Sequence, residues 1–210
     1  MKKTTLAIPL EDPIARSILD ESARAGREVF ALARGAGGED AAPLGSGSFA
    51  AARAAVMAAT NRLGRIDAAL LVLDPRAPDT DEKGAADGPR EVERVVDARL
   101  KGAVHLVREL MAEFERIGSG RLVLAVRVPD EASSDPLTLL VDGALRAWIK
   151  ALFATLDGKP WYLLAAELRG GDEDQALQAV RKLLEGDATR LAGRWHRVGG
   201  RPGLFGAFQA

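Results

Sequence analysis

Few residues in this chain have the type and spacing that catalysis or metal binding requires. The sequence has no cysteine, and its only two histidines, His105 and His196, are far apart. Thiolate catalysis, disulfides and thiolate metal sites are therefore excluded. A histidine metal site is not expected either, so we predict that the chain binds no metal.

One cluster has residue types that could act as a nucleophile, namely Ser133-Ser134-Asp135 with the distant His105. A hydrolytic triad would place its serine on a nucleophile elbow, and these serines lack that motif. His105 also lies among apolar residues of a helical stretch. Turn residues and an ordinary helix histidine are the favoured interpretation.

Two other groups of residues could bind an anion, but in each a purely structural interpretation is favoured. Gly35-Ala36-Gly37-Gly38 has the glycines of a phosphate loop but does not stand between a strand and a helix, so a flexible loop is favoured. Arg194, His196 and Arg197 could bind an anion, but a solvated or edge-facing side of the last strand is the favoured interpretation.

The elements that would position these residues are predicted to be alternating strands and helices. The stretch from Thr4 to Ile18 predicts a first strand that turns into a first helix over 13–25. Further strands are predicted over 28–33, 67–73, 121–128, 161–168 and 193–198, and further helices over 49–63, 90–117, 137–156 and 173–184. The stretch 34–48 is predicted to be loop with a short strand near 42–44. This alternation with short links predicts right-handed crossovers and a doubly wound parallel sheet.

The composition fits one domain over residues 1–210. With 210 residues, of which 47% are hydrophobic, the chain is long enough for one sizeable core. Residues 74–89 are rich in proline, glycine and acidic side chains and are predicted to be a mobile loop, and residues 201–210 a C-terminal tail.

The net charge and the hydropathy of the chain indicate which classes of binding partner can be expected. A net charge of −1 and a pI near 6.2 argue against nucleic-acid binding. No apolar run approaches the length of a membrane span, and Met1-Lys2-Lys3 leads straight into the first strand. We therefore predict a cytoplasmic protein with neither nucleic acid nor membrane as partner.

From Lys3 onward the chain resembles the opening of the short-chain dehydrogenases/reductases, in which a strand is followed by T-G-x-x-x-G-x-G and a helix. The three glycine positions of that motif fall on Pro9, Pro13 and Ala15. Proline has no backbone N–H, so two of these three positions cannot donate to a phosphate.

Glu11 and Asp12 stand between the replaced glycines. A diphosphate at this loop would meet roughly 1 to 4 kcal/mol of repulsion per close charge pair. Asp12-Pro13 also fits the N-cap and first position of an ordinary exposed helix. Under both interpretations no phosphate is held here, and we predict that the chain binds no NAD(P) and no other cofactor.

Further motifs extend the resemblance over nearly the whole chain. Residues 65–70 are similar to the family's R-I-D-x-L-V, residues 100–103 to its N-L-x-G-x, residues 118–123 to its G-S-G-R-I-V, and residues 184–200 to its closing S-D…T-G…V-D-G-G pattern. Their order and spacing imply a single Rossmann-like domain with three layers, helix, sheet and helix.

The family's activity depends on Asn, Ser, Tyr and Lys, with the last two spaced as Y-x-x-x-K on a helix. Tyr162 is the only tyrosine, and it falls on a predicted strand with Ala166 four residues later. The helical places fall on Thr138 and Asp142, or on Leu139 and Gly143, while the Ser place falls near Val126-Arg127 and the Asn place on Arg99. The family's closing loop is replaced by the short link 168–172. The resemblance therefore implies no catalytic residue in this chain.

Association is the remaining role that the resemblance implies, because helices four and five form an interface between subunits in that family. The apolar residues expected at such an interface are Leu100, Val107, Phe114, Trp148, Leu152, Phe205 and Phe208. Packing into the chain's own core is the alternative for the helical ones. The last two lie in a tail where solvent would otherwise reach large apolar side chains.

The leading hypothesis is a catalytically inactive subunit, in a homodimer or as the partner of an active relative in a mixed oligomer. The alternative is an enzyme or a small-molecule binder with a rebuilt pocket around Glu11, Asp12, Arg99 and Arg127, without a nicotinamide.

Overall fold

The computed structural model describes residues 3–9, 11–33, 41–43, 47–76, 89–132, 134–156, 158–170 and 172–199. Within these ranges lie seven strands: β1 Thr4–Ile8, β2 Glu28–Ala33, β3 Ala41–Pro43, β4 Ala68–Leu73, β5 Arg121–Arg127, β6 Tyr162–Arg169 and β7 Trp195–Gly199. They form one sheet in the order β3-β2-β1-β4-β5-β6-β7, and each neighbouring pair is parallel. The predicted doubly wound α/β architecture is confirmed.

The helices of the described chain are α1 Pro13–Arg24, α2 Phe49–Leu63, α3 Pro89–Val95, α4 Gly102–Ile117, α5 Pro136–Ala154, α6 Glu173–Glu185 and α7 Ala188–Leu191. Four of them begin at an aspartate cap, because a carboxylate accepts the N–H groups that have no partner inside the helix. The caps are Asp12 for α1, Asp135 for α5, Asp172 for α6 and Asp187 for α7. The short helix α7 was not predicted from the sequence.

The helices cover both faces of the sheet. Strand side chains alternate between faces, so Leu6 packs in the core under α2, α4 and α5, while Ala7 packs in the core under α1 and α6. Strand β4 is apolar along its whole length because both of its faces are covered. This is the three-layer arrangement that the resemblance implied.

The single helix expected over 90–117 is interrupted. A π-helical turn, Val96–Lys101, separates α3 from α4. The turn brings the Asp97 carbonyl against Gly47, where an added Cβ would lie 1.9 Å from the oxygen. Only glycine allows this close approach, so residue 47 fixes where the loop before α2 meets the interrupted helix.

Two residues of the predicted interface lie in the core. The side chains of Val107 and Phe114 have no exposed surface, and the Phe114 ring packs on Trp161 at 5.9 Å between centroids. The interface prediction is wrong for these two residues, because α4 packs directly on the sheet. Leu100, Trp148 and Leu152 are half-buried. Phe205 and Phe208 lie outside the described residues, as does most of the predicted mobile loop.

No helix in the described ranges is long and apolar enough to cross a membrane.

Candidate functional site

The carboxyl ends of the central strands meet at one edge of the sheet. Val126 of β5 lies opposite Leu73 of β4 on one side and Glu167 of β6 on the other. The residues that follow these strand ends are therefore neighbours in space. In open α/β sheets this edge is where ligands bind.

Asp12 lies at this edge between β1 and α1. Its Oδ1 accepts hydrogen bonds from the backbone N–H groups of Ile14 at 2.9 Å and Ala15 at 3.3 Å. Pro13 occupies the first helical position, as the cap interpretation predicts. The positive end of α1 is thus already bound to a carboxylate of the chain itself.

Arg127, at the end of β5, binds Asp12 and joins it to α6. Its Nε donates to Asp12 Oδ2 at 2.9 Å, and its Nη1 donates to Glu173 Oε1 at 2.8 Å. Burial acts to lower the pKa of Arg127, but the hydrogen bonds and charges of Glu173 and Asp12 outweigh it and raise that pKa. Asp12, Arg127 and Glu173 form one ion-paired group, in which two carboxylates share one guanidinium, and we call it the Asp12 cluster.

A second charged group follows β4. Arg76 donates through Nε and Nη2 to the Asp74 carboxylate, at 2.9 and 2.6 Å. Arg99, only 7% exposed on the π-helical turn, donates through Nη1 to the Asp74 carbonyl at 2.6 Å. Burial acts to raise the pKa of Asp74, but the hydrogen bonds from Arg76 and the charges of Arg76 and Arg99 lower it.

A third group lies between α5 and the end of β6. The buried Glu167 accepts from Arg146 at 2.6 Å and from Arg169 at 2.9 Å. Arg146 also donates to Asp142 at 2.7 Å, and its guanidinium stands over the Trp195 ring at 5.8 Å. Asp142 and Thr138, the places that the resemblance assigned to Lys and Tyr, are therefore partnered within the chain, since Thr138 donates to Asp135 at 2.6 Å.

The structure brings together some of the residues of the predicted rebuilt pocket. Asp12 and Arg127 are in contact, and Arg99 lies at the same edge beside Asp74. Glu11 is exposed. Glu173 was not among the residues predicted from the sequence, although its position just after a strand end was a usable signal.

Tyr162 lies at the opposite edge of the sheet. It is the first residue of β6 and pairs with Arg121, the first residue of β5. It is therefore separated from the Asp12 cluster by the length of the sheet, as expected for a strand tyrosine outside the Y-x-x-x-K motif.

The other candidate residues identified in the sequence contact other parts of the chain. The His105 ring packs edge-on against Phe49 at 6.0 Å, and Asp135 caps α5, while Ser133 lies outside the described residues. On β7, His196 Nε2 lies 2.8 Å from the Leu191 carbonyl, and Arg197 is exposed. Gly35 to Gly38 also lie outside the described residues. In the part of the chain that the structure describes, no three His, Asp or Glu side chains are grouped as metal ligands.

A cavity of about 270 Å³ lies next to the Asp12 cluster. It opens between the ends of β5 and β6 and the first turn of α6. Arg76, Arg127 and Arg169 contribute to its lining, together with apolar side chains of the core under α1 and α6.

Comparisons with known proteins give the fold but no close relative. No family profile and no curated protein sequence matches this chain. Its structure is similar to a 3-ketoacyl-(acyl-carrier-protein) reductase from Brucella melitensis complexed with NADH, at a TM-score of 0.72 and 18% identity over 93% of this chain and 96% of that one.

Two further solved structures agree with this result. An oxidoreductase of the short-chain dehydrogenase/reductase family from Brucella ovis, in complex with a partially ordered NAD, has a TM-score of 0.75 and 14% identity over 95% of this chain and 100% of that one. A variant actinorhodin polyketide ketoreductase with NADPH also has a TM-score of 0.75 and 14% identity, over 93% and 95% of the two chains. The chain therefore has the fold of the short-chain dehydrogenases/reductases.

Proposed function

We propose that this chain is a non-catalytic subunit with the short-chain dehydrogenase/reductase fold, which acts by associating with a second copy or with an active relative in a mixed oligomer. One observation carries the proposal. The N-terminus of α1, where this fold would receive a pyrophosphate, is capped by Asp12, and Asp12 is itself bound by Arg127.

These residues do not fit a dinucleotide. A diphosphate would have to remove the Asp12 carboxylate from the Ile14 and Ala15 N–H groups that would otherwise bind it. If the carboxylate stayed nearby, the two anions would repel each other by roughly 1 to 4 kcal/mol per close pair. If it left, Arg127 would lose a partner in a mostly buried ion pair.

The positions around α5 also favour a chain without reductase activity. Proton transfer in this family needs a tyrosine whose phenol pKa is lowered by a lysine. Here Thr138 and Asp142 stand at those places. Thr138 donates to Asp135, the cap of α5, and Asp142 accepts from Arg146. Tyr162 is at the other edge of the sheet.

The outer side of α5 supports a role in association. Its exposed residues are mainly apolar: Leu140, Gly143, Ala147, Ala151 and Ala154, with Lys150 beside them. By contrast, the exposed side of α6 carries Glu173, Asp174, Arg181 and Lys182. A helix that is apolar on both its inner and outer sides is typical of a buried element. We call the five apolar positions the α5 outer face.

Leu100, Trp148 and Leu152 remain in the proposed interface as half-buried residues, and the tail residues Phe205 and Phe208 as further contacts. A stable interface needs about 800 Å² per partner, which is more than one helix face supplies. The proposal therefore includes neighbouring surface of α4. The absence of cysteine is compatible with a cytoplasmic setting, which is part of the same proposal.

Light scattering on the purified chain, at micromolar concentration and moderate salt, tests association. We expect a mass that is a multiple of 22.3 kDa, or a complex when the chain is purified with its native partners. A mass near 22.3 kDa in both preparations would contradict the proposal.

A further inference from the structure

The cavity next to the Asp12 cluster has an apolar wall. Leu168 of β6, Ala176 of α6 and Val198 of β7 line it, and each is less than a tenth exposed. All three belong to the core cluster under α1 and α6. A ligand in this cavity would therefore meet hydrocarbon on one side.

The mouth of the cavity carries two arginines with donors to spare. Arg169 binds Glu167 through Nε and Nη2, and Arg76 binds Asp74 through the same two nitrogens. No described residue accepts from the Nη1 of either arginine. Arg76 and Arg169 are about half exposed, so each can present Nη1 to a ligand without leaving its carboxylate.

The other charged residues of the lining are already engaged. Arg127 uses Nε, Nη1 and Nη2 on Asp12 and Glu173. Asp172 accepts from the Gln175 N–H as the cap of α6. These residues form a fixed wall, and Arg76 and Arg169 are the adaptable part of the site.

The charges select the kind of anion. Arg76 pairs with Asp74, while Arg169 shares Glu167 with Arg146. Arg127 beside them holds two carboxylates, Asp12 and Glu173, so the cavity has no strong excess of positive charge. Asp74 and Glu167 would repel a dianion about twice as strongly as a monoanion, and two or three hydrogen bonds are enough for a monoanion. The volume of about 270 Å³ is just below that of typical ligand sites, which limits the ligand to a small molecule.

We infer that this cavity binds a small monocarboxylic acid, with its carboxylate on Arg76 and Arg169 and its short apolar body on Leu168, Ala176 and Val198. This inference does not depend on the proposed association, because it uses neither the α5 outer face nor the N-terminus of α1. Failure of one would leave the other standing.

Ligand-observed saturation-transfer NMR on the full chain tests the inference, with butyrate, hexanoate and inorganic phosphate as separate probes. We expect saturable binding of both carboxylates, with hexanoate bound more tightly than butyrate because it covers more of the apolar wall. Phosphate should bind more weakly than either. Phosphate binding more tightly than hexanoate, or no saturable binding of either acid, would overturn the inference.

Three variants locate the binding. Arg169→Gln and Arg76→Gln should each weaken hexanoate binding by about tenfold or more, since each removes a charge-assisted hydrogen bond. Ala176→Val should weaken hexanoate more than butyrate, because the larger side chain fills part of the cavity that the longer acid needs. The matched control is Arg116→Gln: Arg116 pairs with Glu113 through Nε and Nη2 in the same way but lies on α4, outside the cavity.

Circular dichroism on each variant checks that the fold is kept. The Ala176→Val comparison stands even if an arginine variant unfolds, because it changes no charge. Equal weakening by Arg116→Gln and Arg169→Gln, or an unchanged hexanoate affinity in Ala176→Val and the folded arginine variants, would overturn the assignment.

Discussion

Asp12 is bound on both sides of its carboxylate. Oδ1 caps α1 and Oδ2 accepts from Arg127, while both side chains are at most 16% exposed. A mostly buried carboxylate of this kind depends on its cation, because removing one partner leaves a charge without compensation. The ion pair therefore matters for stability as well as for the exclusion of a phosphate.

We predict that Arg127→Gln lowers the free energy of unfolding by about 2 to 4 kcal/mol, because Asp12 and Glu173 lose their cation. The double variant Asp12→Asn with Arg127→Gln should be less destabilised than the sum of the two single changes. Urea unfolding of the four proteins measures this coupling.

Arg116→Gln is the control for the same type of substitution. Arg116 pairs with Glu113 on the surface of α4, where water screens the ion pair and its loss should change stability little. Equal destabilisation by Arg116→Gln and Arg127→Gln would mean that the Asp12 cluster has no special role in stability.

Asp135 predicts a dependence of stability on pH. The hydrogen bond from the Thr138 hydroxyl, and then those from the Thr138 and Leu137 N–H groups, lower the pKa of Asp135 below 3.8. A lowered pKa gives a contribution that is present above 3.8 and is lost as the pH falls through the folded-state pKa.

Asp135→Ala should therefore cost about 1 kcal/mol at neutral pH, through loss of the cap, and less at about pH 3. Asp135→Asn keeps an acceptor for the backbone N–H groups but does not titrate. It should remain close to the unmodified protein at neutral pH and lose less stability on acidification. Unfolding by urea at the two pH values checks this, and parallel acid loss in the Asn variant and the unmodified protein would contradict it.

At the scale of residues, the sequence was informative where the interaction is local. Asp12-Pro13 could be predicted as a cap because the bonded N–H groups are two and three residues away. The Arg127–Glu173 pair could not, since 46 residues separate its members and only the sheet brings them together. Local spacing carries no information about such a pair.

Among the helices, α4 and α5 differ in what their apolar residues contact. In α4 the apolar stripe that includes Val107 and Phe114 packs in the core on the sheet and is not exposed. In α5, Ile149 packs in the core on the sheet, and Val141 and Leu145 pack with Val95 of α3 and Ala103 of α4. Apolar residues remain on the outer side of α5. Of these two helices, α5 therefore has the exposed apolar residues that favour association.

Single-cysteine variants test the α5 outer face, because the chain has no cysteine of its own. We predict that Ala147→Cys forms a disulfide-linked dimer under mild oxidation of the homo-oligomer. In a twofold pairing of antiparallel α5 helices, the residue at the centre of the face meets its own copy. Non-reducing electrophoresis gives the rate and yield.

Ala54→Cys is the matched control, since Ala54 is also an exposed helical alanine but lies on α2. Equal crosslinking at the two positions would contradict an interface on α5. Leu140→Glu should abolish both the oligomer and the crosslink while changing the free energy of unfolding by about 0.5 kcal/mol or less, because Leu140 is 58% exposed.

At the scale of elements, hydrophobic periodicity predicted most of the helices and strands within a few residues. It did not predict whether an apolar stripe faces its own sheet or a partner, which is why Phe114 was assigned to an interface. Nor could it predict the π-helical turn, whose place depends on the contact between Asp97 and the distant Gly47. Both depend on packing between separate parts of the chain.

Across the whole molecule, the sheet order and the layers follow the short-chain dehydrogenase/reductase structures, while the ligand-binding edge carries ion pairs. In each group at that edge, arginines and carboxylates of the chain are paired with one another. We propose that a chain which keeps the core pattern, but places a carboxylate of its own where the fold would receive a pyrophosphate, works through its surface.

The claim that this chain binds no dinucleotide is tested most directly by calorimetric titration of the purified full chain with NAD⁺, NADH, NADP⁺ and NADPH. An active short-chain dehydrogenase is the positive control. Because Asp12 caps α1 and is neutralised by Arg127, we predict no saturable heat, or a dissociation constant of about 1 mM or weaker, for all four. A dissociation constant in the micromolar range for any of the four would contradict the claim that the Asp12 cluster replaces the dinucleotide.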